Sequence, residues 1–412
     1  MNPPAESDAG ELLGHRPFVL FWFTRVCTII GYQMLTVAVG WQVYALTGSA
    51  FDLGLVGLVQ FLPALLLLLL AGHVADRYDR RRIAGACQGI EAALALLLAA
   101  GSARGWITEH AIFALVFALG AVRAFETPSL QALLPALVPA VLLPRAVAAS
   151  STAVQTAIIV GPAVGGLLYI AGPAWAYAVC AVMFAAASLL TRFIHHERVP
   201  PPHEPATLRS VFAGLSFIRS RQAIMGAITL DMVAVLLGGV TALLPIFAKD
   251  ILHTGPLGLG LLRSAPAVGA LAVAFYLSRH PLQRHAGRTM FLAVGVFGAM
   301  TIVFGLSRWF PLSLAALVLL GASDMISVVV RSSLIQLGTP DAMRGRVSAV
   351  NAMFIGTSNQ LGEFESGVTA AWLGTVPAVV LGGIGTLLAV MLGMRLFPQL
   401  ARIDRLESAR HV

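Results

Sequence analysis

The sequence predicts an all-α membrane protein of twelve spanning helices in two pseudo-symmetric six-helix bundles. Three observations carry that reading. Hydrophobic residues make up 58% of the 412 positions and charged residues only 11%, whereas soluble domains carry about 45–50% and about 25%. Apolar runs long enough to cross a bilayer as helices recur along the whole chain, and about 34 residues per span plus connection leaves room for roughly 12. Positions in the second half repeat positions in the first. The net charge of +8 does not indicate nucleic-acid binding, because the basic residues fall at the ends of the apolar runs.

The runs lie at 17–46, 51–73, 83–103, 110–134, 146–171, 174–194, 222–248, 256–279, 288–307, 311–335, 344–372 and 375–397. Residues 1–16 are polar and read as an N-terminal tail, and 398–412 as a C-terminal one. The first run is far longer than the apolar core of a cleaved signal peptide, about 7–15 residues, so it is expected to stay as a span. The longest connection is 195–221, with Pro200, Pro201 and Pro202 among charges such as Arg198, Glu204 and Arg209. Consecutive prolines cannot continue a helix. This break separates an N-terminal bundle, 17–194, from a C-terminal bundle, 222–397.

Lys and Arg sort by side. With the N-terminus placed in the cytoplasm, the cytoplasmic gaps and both tails hold 20 of the 27 basic residues. The opposite side holds three, Arg104, Lys249 and Arg308, and four lie inside runs. Basic residues concentrate in cytoplasmic loops, so both termini are expected there, in the bacterial inner membrane. Trp106, Trp175, Trp309 and Trp372 fall near the outer interface, as an aromatic belt would. Cys27, Cys87 and Cys180 each sit within an apolar run and give no disulfide framework.

A shift of 201 places Leu119-Gly120-Ala121 on Leu320-Gly321-Ala322, Pro139 on Pro340, Arg145 on Arg346 and Gly161 on Gly362. A shift of 203 places Pro63-Ala64 on Pro266-Ala267. Two similar halves in the same orientation form the architecture in which bundles rock about a midplane site.

Two motifs sharpen this. The loop after the second run reads Gly72-His73-Val74-Ala75-Asp76-Arg77-Tyr78-Asp79-Arg80-Arg81-Arg82, and the fifth run carries Gly161-Pro162-Ala163-Val164-Gly165-Gly166. The first resembles the loop 2–3 motif of the major facilitator superfamily, and the second is similar to the motif of its exporter branch. Ala213 to Ile218 and the stretch Thr339 to Arg346 resemble the enterobactin-exporter-like group of bacterial efflux permeases. The resemblance implies that Gly72, Asp76 and Arg77 form a cytoplasmic gate, with Asp76 at the start of the eleventh span. Arg77, Arg80 and Arg82 would hold the halves together through carboxylates or helix C-termini. In the fifth run, Pro162 kinks the helix, and Gly161, Gly165 and Gly166 admit a close neighbour.

The strongest functional signal is the set of ionisable residues inside spans, since a charge at the bilayer centre costs about 2.5–3.5 kcal/mol and needs a partner or a cavity. Asp231 lies about 13 Å into the seventh run among Ile228, Leu230, Met232 and Val233. It is the first candidate for proton coupling, with an ion pair to an Arg of another helix as the alternative. Glu363 and Glu365 are two apart on the eleventh run and point to nearly opposite faces; Glu363, standing where the repeat has Pro162, is favoured for the pathway. Arg123 and Glu126 share a face of the fourth run. The repeat sets Arg123 opposite Asp324, so a charge pair across the cavity and separate local pairs are both open. Arg25 is expected to take a bound anion or an internal carboxylate. Arg263 and Arg331 are expected to snorkel to the membrane surface, and Glu91 to form a structural pair.

No phosphate-binding loop with Lys-Ser/Thr is present, and Lys249 is the single lysine, so no ATP-hydrolysing site is expected. Neither a nucleophile–base pair nor metal-ligand spacing stands out, and no enzyme activity, cofactor or metal is expected. The expected activity is proton-coupled export of a siderophore or an amphipathic drug-like compound by alternating access. A lipid flippase, an uptake permease or a non-transporting scaffold are the alternatives. The expected partners are the lipid bilayer, protons and a small-molecule substrate, without nucleic acid, and the protein is expected to be a monomer.

Overall fold

A computed structural model describes residues 12, 14–195, 208–282 and 284–404. Pro200, Pro201 and Pro202, Arg198, Glu204 and nearly all of the N-terminal tail lie outside the described residues, as does the side chain of Asp76. Every regular element among the described residues is helical. Twelve long helices correspond to the twelve runs: α1 Arg16–Thr47, α2 Ala50–Arg77, α3 Arg80–Arg104, α4 Glu109–Leu133, α5 Leu143–Ile170, α6 Pro173–Arg192, α7 Gln222–Leu237, α8 Gly255–Arg279, α9 Ala286–Leu306, α10 Phe310–Gly338, α11 Asp341–Leu373 and α12 Thr375–Leu396. Eleven spans among the described residues are long and apolar enough to cross a membrane. The remaining long helix, α11, carries Arg344, Arg346, Glu363 and Glu365, which lower its hydropathy. Its 33 residues extend about 50 Å, so its charged start reaches beyond a hydrocarbon core of about 30 Å.

Local chemistry places the ends. Asp79 caps α3 by accepting the Arg81 N–H at 2.9 Å, and Gly105, at φ 70°, closes it in the left-handed conformation that a side chain resists. Thr108 then caps α4 through the Ala111 N–H at 3.3 Å. The seventh run departs from the expected single helix. α7 stops before Gly238-Gly239, resumes as a short helix Val240–Ile246, and ends in a π turn, Phe247–Ile251. A Gly pair and Pro245 account for the break, since neither supports an uninterrupted hydrogen-bond ladder.

The chain forms two compact units, Met1–Leu46 with Val59–Pro205, and Thr47–Leu58 with Ala206–Val412. In the first unit α3 packs along α6 and beside α4. In the second, α9 packs along α12 and beside α10, the same pairings six helices on. The repeat recurs in atomic contacts. Gly120 of α4 lies against the Gln60 carbonyl and the Pro63 ring of α2, and Gly321 of α10 lies against the backbone of Pro266 in α8. Gly120 with Gly321 and Pro63 with Pro266 are pairs that coincide under the two shifts. A Cβ at either glycine would overlap its neighbour's backbone, so Gly is required for helices this close.

Hydroxyl and amide side chains join α1, α3 and α6. Gln88 donates to Thr28 at 3.2 Å and accepts from Thr191 at 2.8 Å, while Tyr177 donates to Gln42 at 2.7 Å. All five are buried, and each satisfied bond contributes about 0.5–1.5 kcal/mol. Cys27, Cys87 and Cys180 are free thiols. Trp106, Trp175, Trp309 and Trp372 are exposed on the protein surface.

Candidate functional site

Each unit holds its own buried charge cluster. In the first, Arg123 of α4 lies 3.5 Å from Glu91 Oε1 of α3 and 3.6 Å from Glu126 Oε2 of its own helix. Its guanidinium stands over the Tyr32 ring of α1, 3.7 Å from the centroid, a cation–π contact. Glu91 is 0% and Glu126 1% exposed. These separations give ion pairs without close hydrogen bonds: both Glu91 oxygens, Glu126 Oε1 and Arg123 Nη1 are buried without a hydrogen-bond partner. Arg25 of α1 sits beyond ion-pair distance but within electrostatic reach of Glu126 and Arg123, and its Nε is buried without a hydrogen-bond partner.

Arg123 is thus held locally, by acids of its own bundle. The expected structural pair of Glu91 is formed with Arg123, which makes Glu91 a full member of the cluster. Hairpin geometry contained that signal. The α3–α4 turn spans Gly105 to Thr108; Glu91 is 105 − 91 = 14 residues before it and Arg123 is 123 − 108 = 15 after it. In antiparallel helices such residues stand level.

In the second unit, Asp231 of α7 forms a buried ion pair with Arg331 of α10, and Ser327 Oγ donates to Asp231 Oδ1 at 2.8 Å. Arg331 is 3% exposed. This corrects the expectation that it snorkels. The side chain turns inward because the Asp231 carboxylate and the Ser327 hydroxyl supply a polar partner inside the bundle. Of the two alternatives for Asp231, the pair with an Arg of another helix is present. Ser323, Ser327 and Arg331 recur every four residues on one face of α10, a polar stripe readable in the sequence and missed there. Asp324, next to Ser323, lines a small cavity with Asp231 and both serines.

Glu363 and Glu365 of α11 diverge as their 200° separation requires. Glu363 Oε2 lies against Gly57 of α2, with Arg263 of α8 in electrostatic reach. Glu365 is held on its own helix, accepting from Thr369 at 2.7 Å and from Ser366 at 3.5 Å.

The basic loop reaches carbonyls at helix ends. Arg80 donates to the Ala132 carbonyl near the end of α4 at 3.2 Å, and Arg81 to the Ile194 carbonyl just past α6 at 2.7 Å. Both therefore neutralise helix C-termini of the first unit. Arg82 is largely exposed and reaches Asp79 at 3.7 Å. Arg77 is exposed, and among the described residues nothing lies within 4 Å of a Cβ added at Gly72. In α5, Gly161, Pro162, Gly165 and Gly166 are all buried. Gly165 faces Met34 of α1, whose Cα would stand 2.7 Å from an added Cβ, so the motif forms the α1–α5 contact.

Twelve long helices in two units, each with charges buried in an otherwise apolar bundle, are the architecture of a multi-pass membrane transporter of the major facilitator type. The profile of the family described as transmembrane secretion effector matches residues 12–411, and the chain belongs to that family. Enterobactin exporters are similar across nearly the whole length. That of Citrobacter koseri is 27% identical over 400 residues, covering 94% of this chain and 93% of its own. That of Escherichia coli O1:K1 is 26% identical over 394 residues, with the same coverage. A bacterial homolog of the human lysosomal transporter Spinster, solved inward-facing, superposes with a TM-score of 0.75 at 12% identity, covering 94% of this chain and 98% of that one. A POT family peptide transporter gives 0.76 at 11%, covering 93% and 96%.

Proposed function

We propose that the protein is a proton-coupled exporter of a small amphipathic molecule, a siderophore or a drug-like compound, in the bacterial inner membrane. The observation that carries the coupling is the Glu91–Arg123–Glu126 cluster. Two carboxylates share one guanidinium within ion-pair distance, in a setting where an unneutralised charge is costly. A proton on either acid leaves one carboxylate on Arg123, and its loss restores both. Asp231, the first candidate in the sequence, has its charge matched by Arg331 alone.

In this reading a proton enters from outside, loosens one acid from Arg123, and lets the two bundles exchange access. Release inside restores the pair and readies the site for substrate. One proton at 100 mV contributes about 2.3 kcal/mol, which supports roughly 50-fold accumulation at about 1.4 kcal/mol per decade. Export and a siderophore cargo are supported by the enterobactin exporters among the relatives. Asp76, Arg77 and the Gly161 to Gly166 motif are assigned to gating and helix approach.

The test is transport in proteoliposomes under an imposed pH gradient, with enterobactin and a lipophilic cationic dye as cargoes. Wild type should move one of them against its gradient. Glu126→Gln and Glu91→Gln should keep downhill exchange and lose the proton-driven component. Proton-driven accumulation by both variants at the wild-type level would rule the cluster out.

A further inference from the structure

The cavity between α7, α9 and α10 is not used by that mechanism, and its chemistry is one-sided. Its polar lining consists of Asp231, Ser323, Asp324 and Ser327; its other walls are apolar and include Val235 and Phe297. Asp231 is already neutralised by Arg331. Asp324 is half-buried, and among the described residues it has no ion-pair or hydrogen-bond partner. Arg331 is seven residues further along α10, about 10 Å by helical rise, and is engaged with Asp231.

Both serine protons are committed elsewhere. Ser327 donates to Asp231 at 2.8 Å, and Ser323 donates to the Leu320 carbonyl at 2.8 Å. What the two hydroxyls offer the cavity is therefore lone pairs, and the Asp324 carboxylate offers only lone pairs as well. Three oxygen acceptors from two turns of α10 border one small space, and the Asp324 charge there has no ion-pair partner among the described residues. Hard oxygen donors of this kind suit a hard cation. A divalent ion would exchange one unmatched charge for another, whereas a dehydrated monovalent ion cancels it.

We propose that this cavity binds Na⁺, with the Asp324 carboxylate as the charged ligand and the Ser323 and Ser327 hydroxyl oxygens as neutral ligands. The ion makes the second bundle respond to sodium independently of the proton cluster of the first. It also gives the Asp324 carboxylate a charge partner.

Thermal unfolding of the purified full-length protein, in a NaCl series balanced with choline chloride and repeated with KCl, tests this. The expected result is saturable stabilisation by Na⁺ that choline and K⁺ do not reproduce. Asp324→Asn should abolish the response, and Ser323→Ala should raise the half-saturating Na⁺ by about 10-fold, equivalent to one decade at 1.4 kcal/mol. Glu126→Gln should respond as wild type, so failure of the proton reading is separable from failure of this one. Should Asp324→Asn not fold, equilibrium dialysis of radioactive sodium against wild type and Ser323→Ala decides the matter. Equal stability in Na⁺, K⁺ and choline, stabilisation by acid alone, or a sodium response retained in Asp324→Asn would overturn the proposal.

Discussion

Replacing Arg331 with Leu leaves the Asp231 carboxylate buried, with the Ser327 hydroxyl as its remaining polar contact. Asp231 is 4% and Arg331 3% exposed, so water cannot take over the missing charge. Removing one member of a buried ion pair costs about 3–5 kcal/mol. Removing both costs far less, because no charge is stranded. For a cooperative unit of roughly 150–250 residues, each kcal/mol moves the midpoint by about 2–4 °C, so Arg331→Leu should lower it by about 6–20 °C. Asp231→Asn, which strands the guanidinium instead, should fall in the same range. The double variant should recover most of the loss, giving a coupling energy of several kcal/mol in the cycle. The assay is thermal unfolding of detergent-solubilised protein followed by ligand-independent fluorescence. An Arg331→Leu midpoint within about 2 °C of wild type would refute the buried pair, since a snorkelling Arg contributes little. So would a double variant whose loss is the sum of the singles.

Other outcomes follow from the same geometry. Gly321→Ala and Gly120→Ala should each destabilise by about 1–3 kcal/mol or more through backbone overlap, whereas Gly295→Ala, which meets nothing within 4 Å, should be neutral or stabilising by about 0.5–1 kcal/mol; unfolding midpoints of the three variants check this. Asp79→Ala should cost about 1 kcal/mol by uncapping α3, read by the same assay, and Asp79→Asn should retain most of the stability. Arg123→Lys keeps the charge but loses the planar group stacked on Tyr32, so proton-driven flux should fall at least about tenfold while the protein still inserts and folds; unaltered flux would show that the stacked geometry is unimportant.

Much of the architecture was legible before the fold. The twelve helices coincide with the twelve apolar runs because crossing a bilayer depends on local length and hydropathy, which the chain states residue by residue. The internal repeat was legible too, and two of its pairs, Gly120 with Gly321 and Pro63 with Pro266, are the points where α2 meets α4 and α8 meets α10. The Gly238-Gly239 interruption was present as a signal and overlooked, since apolarity alone made 222–248 look continuous.

The partners of the buried charges were decided by tertiary structure, for a physical reason. Hydropathy reports how deep a residue lies but not the rotation of its helix or the neighbour it faces. Glu91 and Arg123 could have been matched across their short hairpin, where counting from the turn sets the level. Asp231 and Arg331 belong to helices distant in the chain, and no count joins them. Only packing of α7 against α10 turned Arg331 inward, left Asp324 facing a cavity, and committed both serine protons elsewhere. The sequence by itself thus determined how many helices there are, where they lie and how the halves correspond; three-dimensional packing decided which charges pair.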